Sequence, residues 1–215
     1  MLPRVLITGF EPFGRRRTNR YWQCVEAFVR EARTARLAHE ADLAAARLPV
    51  DFVALPQALK RLWRTERPDL WILAGESGAG ESLRVERVAV NLLDAALPDR
   101  AGRVRRDAEV VPGGPPAYFA NLDTRRAAET LTSAGARARV SLTAGAYCCN
   151  QAFYWARHLA ETAGLHSGRR TRQRGCRMVF LHIPRHGARR GGTPPPPRAA
   201  ARALVHLVRD FLRGA

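Results

Sequence analysis

Apolar positions in this chain fall alternately into short continuous runs and stretches with helical spacing, from one end to the other. Arg4 to Gly9 is a short apolar run ended by glycine, which predicts a buried strand. Asn19 to Leu37 carries Trp22, Val25, Phe28 and Val29 on one helical face. Ala45 to Val50 predicts the next strand, and Ala54 to Arg64 a helix stopped ahead of Pro68. Asp69 to Ala74 is a further strand, and Gly75-Glu76-Ser77-Gly78-Ala79-Gly80 a glycine-rich turn after it. An apolar stretch follows at Val85 to Leu92. Pro112-Gly113-Gly114-Pro115-Pro116 predicts a rigid turn into a helix from about Ala117 to Ser133. Ala138 to Ala146 then predicts a strand running into an amphipathic helix that starts at Cys148-Cys149. Met178 to Leu181 is a last strand, ended by His182, and Pro194 to Pro197 introduces a helix from Arg198 to Arg213.

Strands and helices alternating at this interval predict a single α/β domain spanning residues 1–215. The expected architecture is a three-layer α/β/α sandwich with a largely parallel, mixed central sheet. Functional groups in such sheets gather at the carboxyl ends of the strands, where Gly9, Gly75, Cys149 and His182 would all lie. A chain of 215 residues buries enough surface to form one core, and no internal repeat or interdomain linker interrupts it.

Composition narrows the function classes. No apolar run approaches the eighteen or so residues of a membrane span, so no membrane partner is expected. Val5-Leu6-Ile7-Thr8 is too short for the core of a secretory signal. The 4 cysteines do not form a disulfide framework, and vicinal Cys148 and Cys149 are poorly placed to bridge each other. A reducing, cytoplasmic setting is therefore expected. The net charge of +17 raises the question of a polyanion partner. Lys60 is the only lysine, however, and the arginine runs at Arg15–Arg17, Arg103–Arg106, Arg169–Arg177 and Arg185–Arg190 fall mostly in predicted loops. No stacking aromatics are interleaved with them. Solvated loop charge is the leading reading, and a nucleic-acid surface the minor one.

The candidate chemistry starts at Cys148-Cys149, because a helix N-terminus presents unpaired N–H groups and the positive end of the helix dipole. Both favour a thiolate, the nucleophilic form of cysteine. His182 would supply a base. Gly75, Gly78 and Gly80 lack the Gly-Lys-Ser/Thr ending of a phosphate loop, and no Cys/His spacing suits zinc. Glu86, in Glu86-Arg87-Val88-Ala89-Val90-Asn91, has two readings. One is a solvated charge paired with Arg87, and the other an orienting carboxylate for His182.

Five ordered motifs resemble those of the pyroglutamyl peptidase I (pyrrolidone-carboxylate peptidase) family of cysteine peptidases. They are Thr8-Gly9-Phe10-Glu11-Pro12-Phe13-Gly14 with Asn19, Glu86 to Asn91, Gly113-Gly114-Pro115 with Ala117-Tyr118, Tyr147-Cys148-Cys149-Asn150 with Phe153-Tyr154, and His182-Ile183-Pro184. The resemblance implies hydrolysis of N-terminal pyroglutamyl residues from peptides, without metal or cofactor. It assigns Cys149 rather than Cys148 as nucleophile, His182 as base and Glu86 as orienting acid. It also implies a substrate site at Phe10, Phe13, Asn19, Glu76 and Tyr147, with Phe10 and Phe13 clamping the lactam ring. A homo-oligomer is compatible with it. The chain departs from the family pattern at Glu76 (commonly Gln), Gly80 (Arg), Arg84-Val85 (Thr-Pro), Gln151 (His) and Arg20 (Pro). An inactive or substrate-shifted relative, with an Arg-rich anion- or nucleic-acid-binding surface, is the alternative those departures raise.

Overall fold

A computed structural model describes residues 2–12, 19–163, 175–186 and 196–214. Its centre is a six-stranded sheet in the order β2-β1-β3-β10-β4-β9. The strands are β1 (Arg4–Phe10), β2 (Asp42–Leu48), β3 (Leu70–Ala79), β4 (Leu83–Glu86), β9 (Ala138–Ser141) and β10 (Arg177–His186). β2, β1, β3 and β10 run parallel, whereas β4 is antiparallel to β10 and parallel to β9. Strands buried on both faces read as continuous apolar runs, which is why Val5-Leu6-Ile7 and Val179-Phe180-Leu181 show no polar alternation.

Successive side chains go to opposite faces, so each strand feeds two cores. Val5, Ile7, Ile72, Val179 and Leu181 pack under α1 (Arg20–Thr34), α3 (Thr124–Ser133) and α5 (Pro197–Arg213). Leu6, Phe10, Trp71, Leu73 and Phe180 pack under α2 (Ala54–Glu66) and α4 (Cys148–Thr162). The helices therefore form the two outer layers expected from the sequence. Two antiparallel pairs, β5 (Val88–Val90) with β8 (Ala117–Phe119) and β6 (Leu93–Ala95) with β7 (Arg105–Ala108), stand beside the main sheet. Among the described residues no helix is long and apolar enough to cross a membrane. All four cysteines are unbridged.

The structure corrects four boundaries. Gly75 to Ala79 is not a turn but the second half of β3, because β10 runs alongside it from Arg177 to His186 and pairs as far as Ala79. His182 accordingly sits within a strand rather than at its end. Ala117 does not open a helix. Its segment pairs with β5, and α3 starts only after Asp123, whose Oδ1 accepts the N–H groups of Arg125 and Arg126. The strand expected over Ala138 to Ala146 ends at Ser141, and a loop with Gly145 at φ 79° leads to α4.

Candidate active site

One transverse row of the main sheet carries the site. Gly9 pairs with Ala74 on β3, so the next step of the same register sets Phe10 beside Gly75. Gly75 pairs with His182, and His182 pairs with Arg84. Phe10, Gly75, His182 and Arg84 thus cross four adjacent strands on the face covered by α4. The row has a gap at Gly75, and the thiol of Cys149 fills it. A methyl group at Gly75 would lie 2.8 Å from Cys149 Sγ, 3.3 Å from Phe180 Cζ and 3.6 Å from Phe10 Cδ2. Only glycine lets the sulfur come down onto the sheet.

Cys149 is the second residue of α4, whose N-cap is Tyr147, so the unpaired N–H groups of the first turn surround it. Asn150 fixes that helix end in place. Its Nδ2 donates to the carbonyls of Val90 (2.8 Å) and Leu92 (2.9 Å), and its Oδ1 accepts the Val90 N–H (2.9 Å). Gln151 Nε2 adds a bond to the Phe52 carbonyl at 2.9 Å. Cys148 is fully buried in the core under α4.

Glu86 ends β4 with no exposed surface and lies 2.8 Å, through Oε1, from His182 Nδ1. Phe180 pairs with Glu86 and Arg84 with His182, so the contact is a diagonal one across the antiparallel pair. A carboxylate only accepts, so Nδ1 carries the hydrogen and Nε2 is left as the basic nitrogen. The Phe180 ring packs 4.9 Å from the imidazole. Arg84 Nε stands 3.9 Å from the same Glu86 oxygen. The solvated reading of Glu86 is thereby excluded.

The thiol runs against the helix-terminus expectation. Burial, followed by the Glu86 and Glu76 carboxylates, pushes Cys149 up to about 12, with Arg84 opposing. The residue as a whole is half-buried, but its sulfur sits over Gly75 and the side chain packs against the core that holds Phe180 and Phe10. Desolvation penalises the anion and so works against the helix end. These groups favour the thiol form, which a neighbouring base can convert to a nucleophile. Among the described residues no group of three or more His, Cys, Asp or Glu side chains is arranged to hold a metal ion. A groove of about 640 Å³ lies at the opposite end of the sheet, near Asp69, Arg126 and Asp210, away from these groups.

The pyroglutamyl peptidase family model matches residues 3–188. The chain belongs to the pyroglutamyl peptidase family. It is 38% identical over 218 residues to the pyrrolidone-carboxylate peptidase of Clavibacter michiganensis, covering 100% of this chain and 95% of that one. It is 36% identical over 208 residues to pyrrolidone-carboxylate peptidase 1 of Ralstonia nicotianae, covering 97% and 90%. The crystal structure of pyroglutamyl peptidase I from Bacillus amyloliquefaciens superposes with a TM-score of 0.80 at 28% identity, covering 97% of this chain and 94% of that one. Pyrrolidone carboxyl peptidase from Thermococcus litoralis gives 0.81 at 28% identity, covering 99% and 96%.

Within this pyroglutamyl-peptidase fold, Cys149, His182, Glu86 and Phe10 come together around Gly75. Phe13 lies outside the described residues. Asn19 is buried, its Nδ2 donating to the Glu11 carbonyl (3.3 Å) and its Oδ1 accepting the Trp22 N–H (3.4 Å), so it ties the end of β1 to α1. Tyr147 packs edge-on against Phe52 with ring centroids 5.3 Å apart, and its hydroxyl donates to the Pro98 carbonyl at 2.9 Å. Glu76 follows Gly75 and acts on the thiol through its charge. The sequence motifs include Asn150 and Asn91, and Arg84 stands among the departures, but none of the three carries a role there. Asn91 bonds the Val111 N–H and carbonyl, each at 2.9 Å, and the Gly114 carbonyl at 3.2 Å. A signal existed for both asparagines: Asn91 ends the apolar run Val88-Ala89-Val90, and Asn150 follows the cysteine pair directly.

Proposed function

We propose that this chain hydrolyses the amide bond between an N-terminal pyroglutamyl residue and the rest of a peptide, with Cys149 as nucleophile. The observation that carries the reading is the Cys149 thiol seated over Gly75 beside the His182–Glu86 pair. His182 Nε2 takes the thiol proton as sulfur attacks the carbonyl carbon. Glu86 holds the imidazole in that tautomer and offsets the charge it gains. N–H groups at the start of α4 stabilise the oxyanion, a contribution of roughly 3–4 kcal/mol per donor in comparable sites. His182 then gives its proton to the leaving amine. A water molecule, deprotonated by the same imidazole, cleaves the thioester and releases pyroglutamate.

Phe10 offers the five-membered lactam an apolar wall, which suits an acyl group without a charged amine. Glu76 can accept from the lactam N–H but cannot donate to its carbonyl. Asn19 and Tyr147 shape the walls of the site, since hydrogen bonds within the chain already engage their polar ends.

The test is release of a fluorogenic amine from its pyroglutamyl amide by wild type, Cys149→Ala and Cys148→Ala. Turnover should vanish in Cys149→Ala and stay within a few fold of wild type in Cys148→Ala. Equal loss in both would overturn the assignment of the nucleophile. A folded wild type that releases nothing would overturn the activity itself.

A further inference from the structure

Arg84 is the fourth member of the row, and the mechanism above leaves it unused. It lies directly across from His182 on β4, the strand of that row farthest from Phe10. Its side chain is 31% exposed, whereas Glu86 beside it has no exposure. The 3.9 Å separation from Glu86 Oε1 is an ion pair too long for a hydrogen bond. Among the described residues no hydrogen bond engages the terminal nitrogens of its guanidinium. A planar fork of N–H donors therefore stands at the mouth of the site with one side on a buried carboxylate and the other open.

The order of the row says what would meet that fork. Phe10 marks the lactam side, Cys149 over Gly75 the point of attack, and His182 the position from which the leaving amine takes its proton. Beyond His182, by one strand spacing of about 4.8 Å, comes Arg84. The residue that follows pyroglutamate must leave across this side. Its α-carboxylate, in a dipeptide, stands two bonds from the departing nitrogen, and the side chain of Asp or Glu reaches only a few bonds farther. With a charge-assisted hydrogen bond of about 2.8 Å added, either covers one strand spacing.

We propose that Arg84 is a specificity residue that reads a carboxylate on the residue following pyroglutamate. The inference rests on the peptidase reading above. Guanidinium matches carboxylate geometry with paired, charge-assisted bonds, which neutral substrates cannot return. Glu76 and Glu86 oppose an incoming anion. Glu86 is already engaged with His182 Nδ1 and lies on the buried side of Arg84, so the exposed positive face is what the leaving residue meets. The net charge of +17 adds a long-range attraction of the same sign.

The experiment compares kcat/KM within two matched substrate pairs, for wild type, Arg84→Met and Arg84→Lys. Pyroglutamyl-alanine against pyroglutamyl-alanine amide isolates the α-carboxylate. Pyroglutamyl-glutamic acid amide against pyroglutamyl-glutamine amide isolates the side chain. Wild type should favour the acid of at least one pair by about tenfold, less at 1 M salt than at 0.1 M. Arg84→Met should bring that ratio to about one, and Arg84→Lys should restore part of it. Because the readout is a ratio, a general loss of activity through Glu86 cancels. Equal rates on acid and amide in both pairs, or an acid preference that survives in Arg84→Met, would overturn the proposal while leaving the peptidase standing. No turnover of any of the four substrates would overturn both.

Discussion

Replacing Glu86 by Gln tests how the buried pair works, because the carboxylate acts on the two reacting groups in opposite senses. Its charge helps hold the Cys149 thiol up at about 12, so removing it makes the sulfur easier to ionise. The same charge lies 2.8 Å from His182 Nδ1 and offsets the imidazolium that forms when the thiol gives up its proton. If sulfur ionisation alone limited the reaction, Glu86→Gln would be faster than wild type. Coulomb attraction falls with distance, however, and the imidazole is in direct contact while the sulfur is not. At an effective dielectric constant near 20, a charge pair about 4 Å apart is worth roughly 4 kcal/mol. Losing that in the transition state lowers kcat by about a thousandfold. The isosteric amide keeps the shape of the site, and KM should move little. The assay is steady-state release from the fluorogenic pyroglutamyl amide, with thermal melting to verify the fold. A folded variant keeping a tenth or more of the wild-type kcat would refute the reasoning, and a faster one would reverse it.

Three further outcomes are expected. Gly75→Ala places a methyl 2.8 Å from Cys149 Sγ, so the sulfur must move; kcat/KM should drop by about a hundredfold or more, and a drop under tenfold would mean the thiol does not need its seat on the sheet. Asn150→Ala leaves the Val90 N–H and the Val90 and Leu92 carbonyls without their partner; urea denaturation should show a loss of about 3 kcal/mol, and less than about 1 would argue against the clamp. Asp99 is buried and burial raises its carboxyl, but the N–H groups of Phe52, Arg103 and Ala101 outweigh this and hold it below the ordinary value. A depressed carboxylate contributes stability that is present above its unfolded value of about 4 and is lost as pH falls through the folded one. Denaturation between pH 6 and pH 2 should therefore show a steeper acid loss for wild type than for Asp99→Asn, and parallel curves would dismiss the linkage.

Local pattern alone determined which segments are strands and helices at β1, α1, α2, β10 and α5, because burial on both faces or on one stripe leaves a period in the chain. It also determined the family, since the motifs at Phe10, Glu86, Cys149 and His182 are contiguous in sequence. Where pairing partners decide, the pattern was not enough. Gly75 to Ala79 looks like a turn by composition and is a strand because β10 runs beside it. Ala117 to Phe119 looks like a helix start and is a strand because β5 is its neighbour. The site itself is a row across β1, β3, β10 and β4, and no local window contains the register that aligns Phe10, Gly75, His182 and Arg84. The state of the thiol is the plainest case. A helix N-terminus read from sequence favours the anion, and the tertiary structure adds burial and charges that favour the thiol. Desolvation and two nearby carboxylates, contributed by residues distant in the chain, push the thiol up.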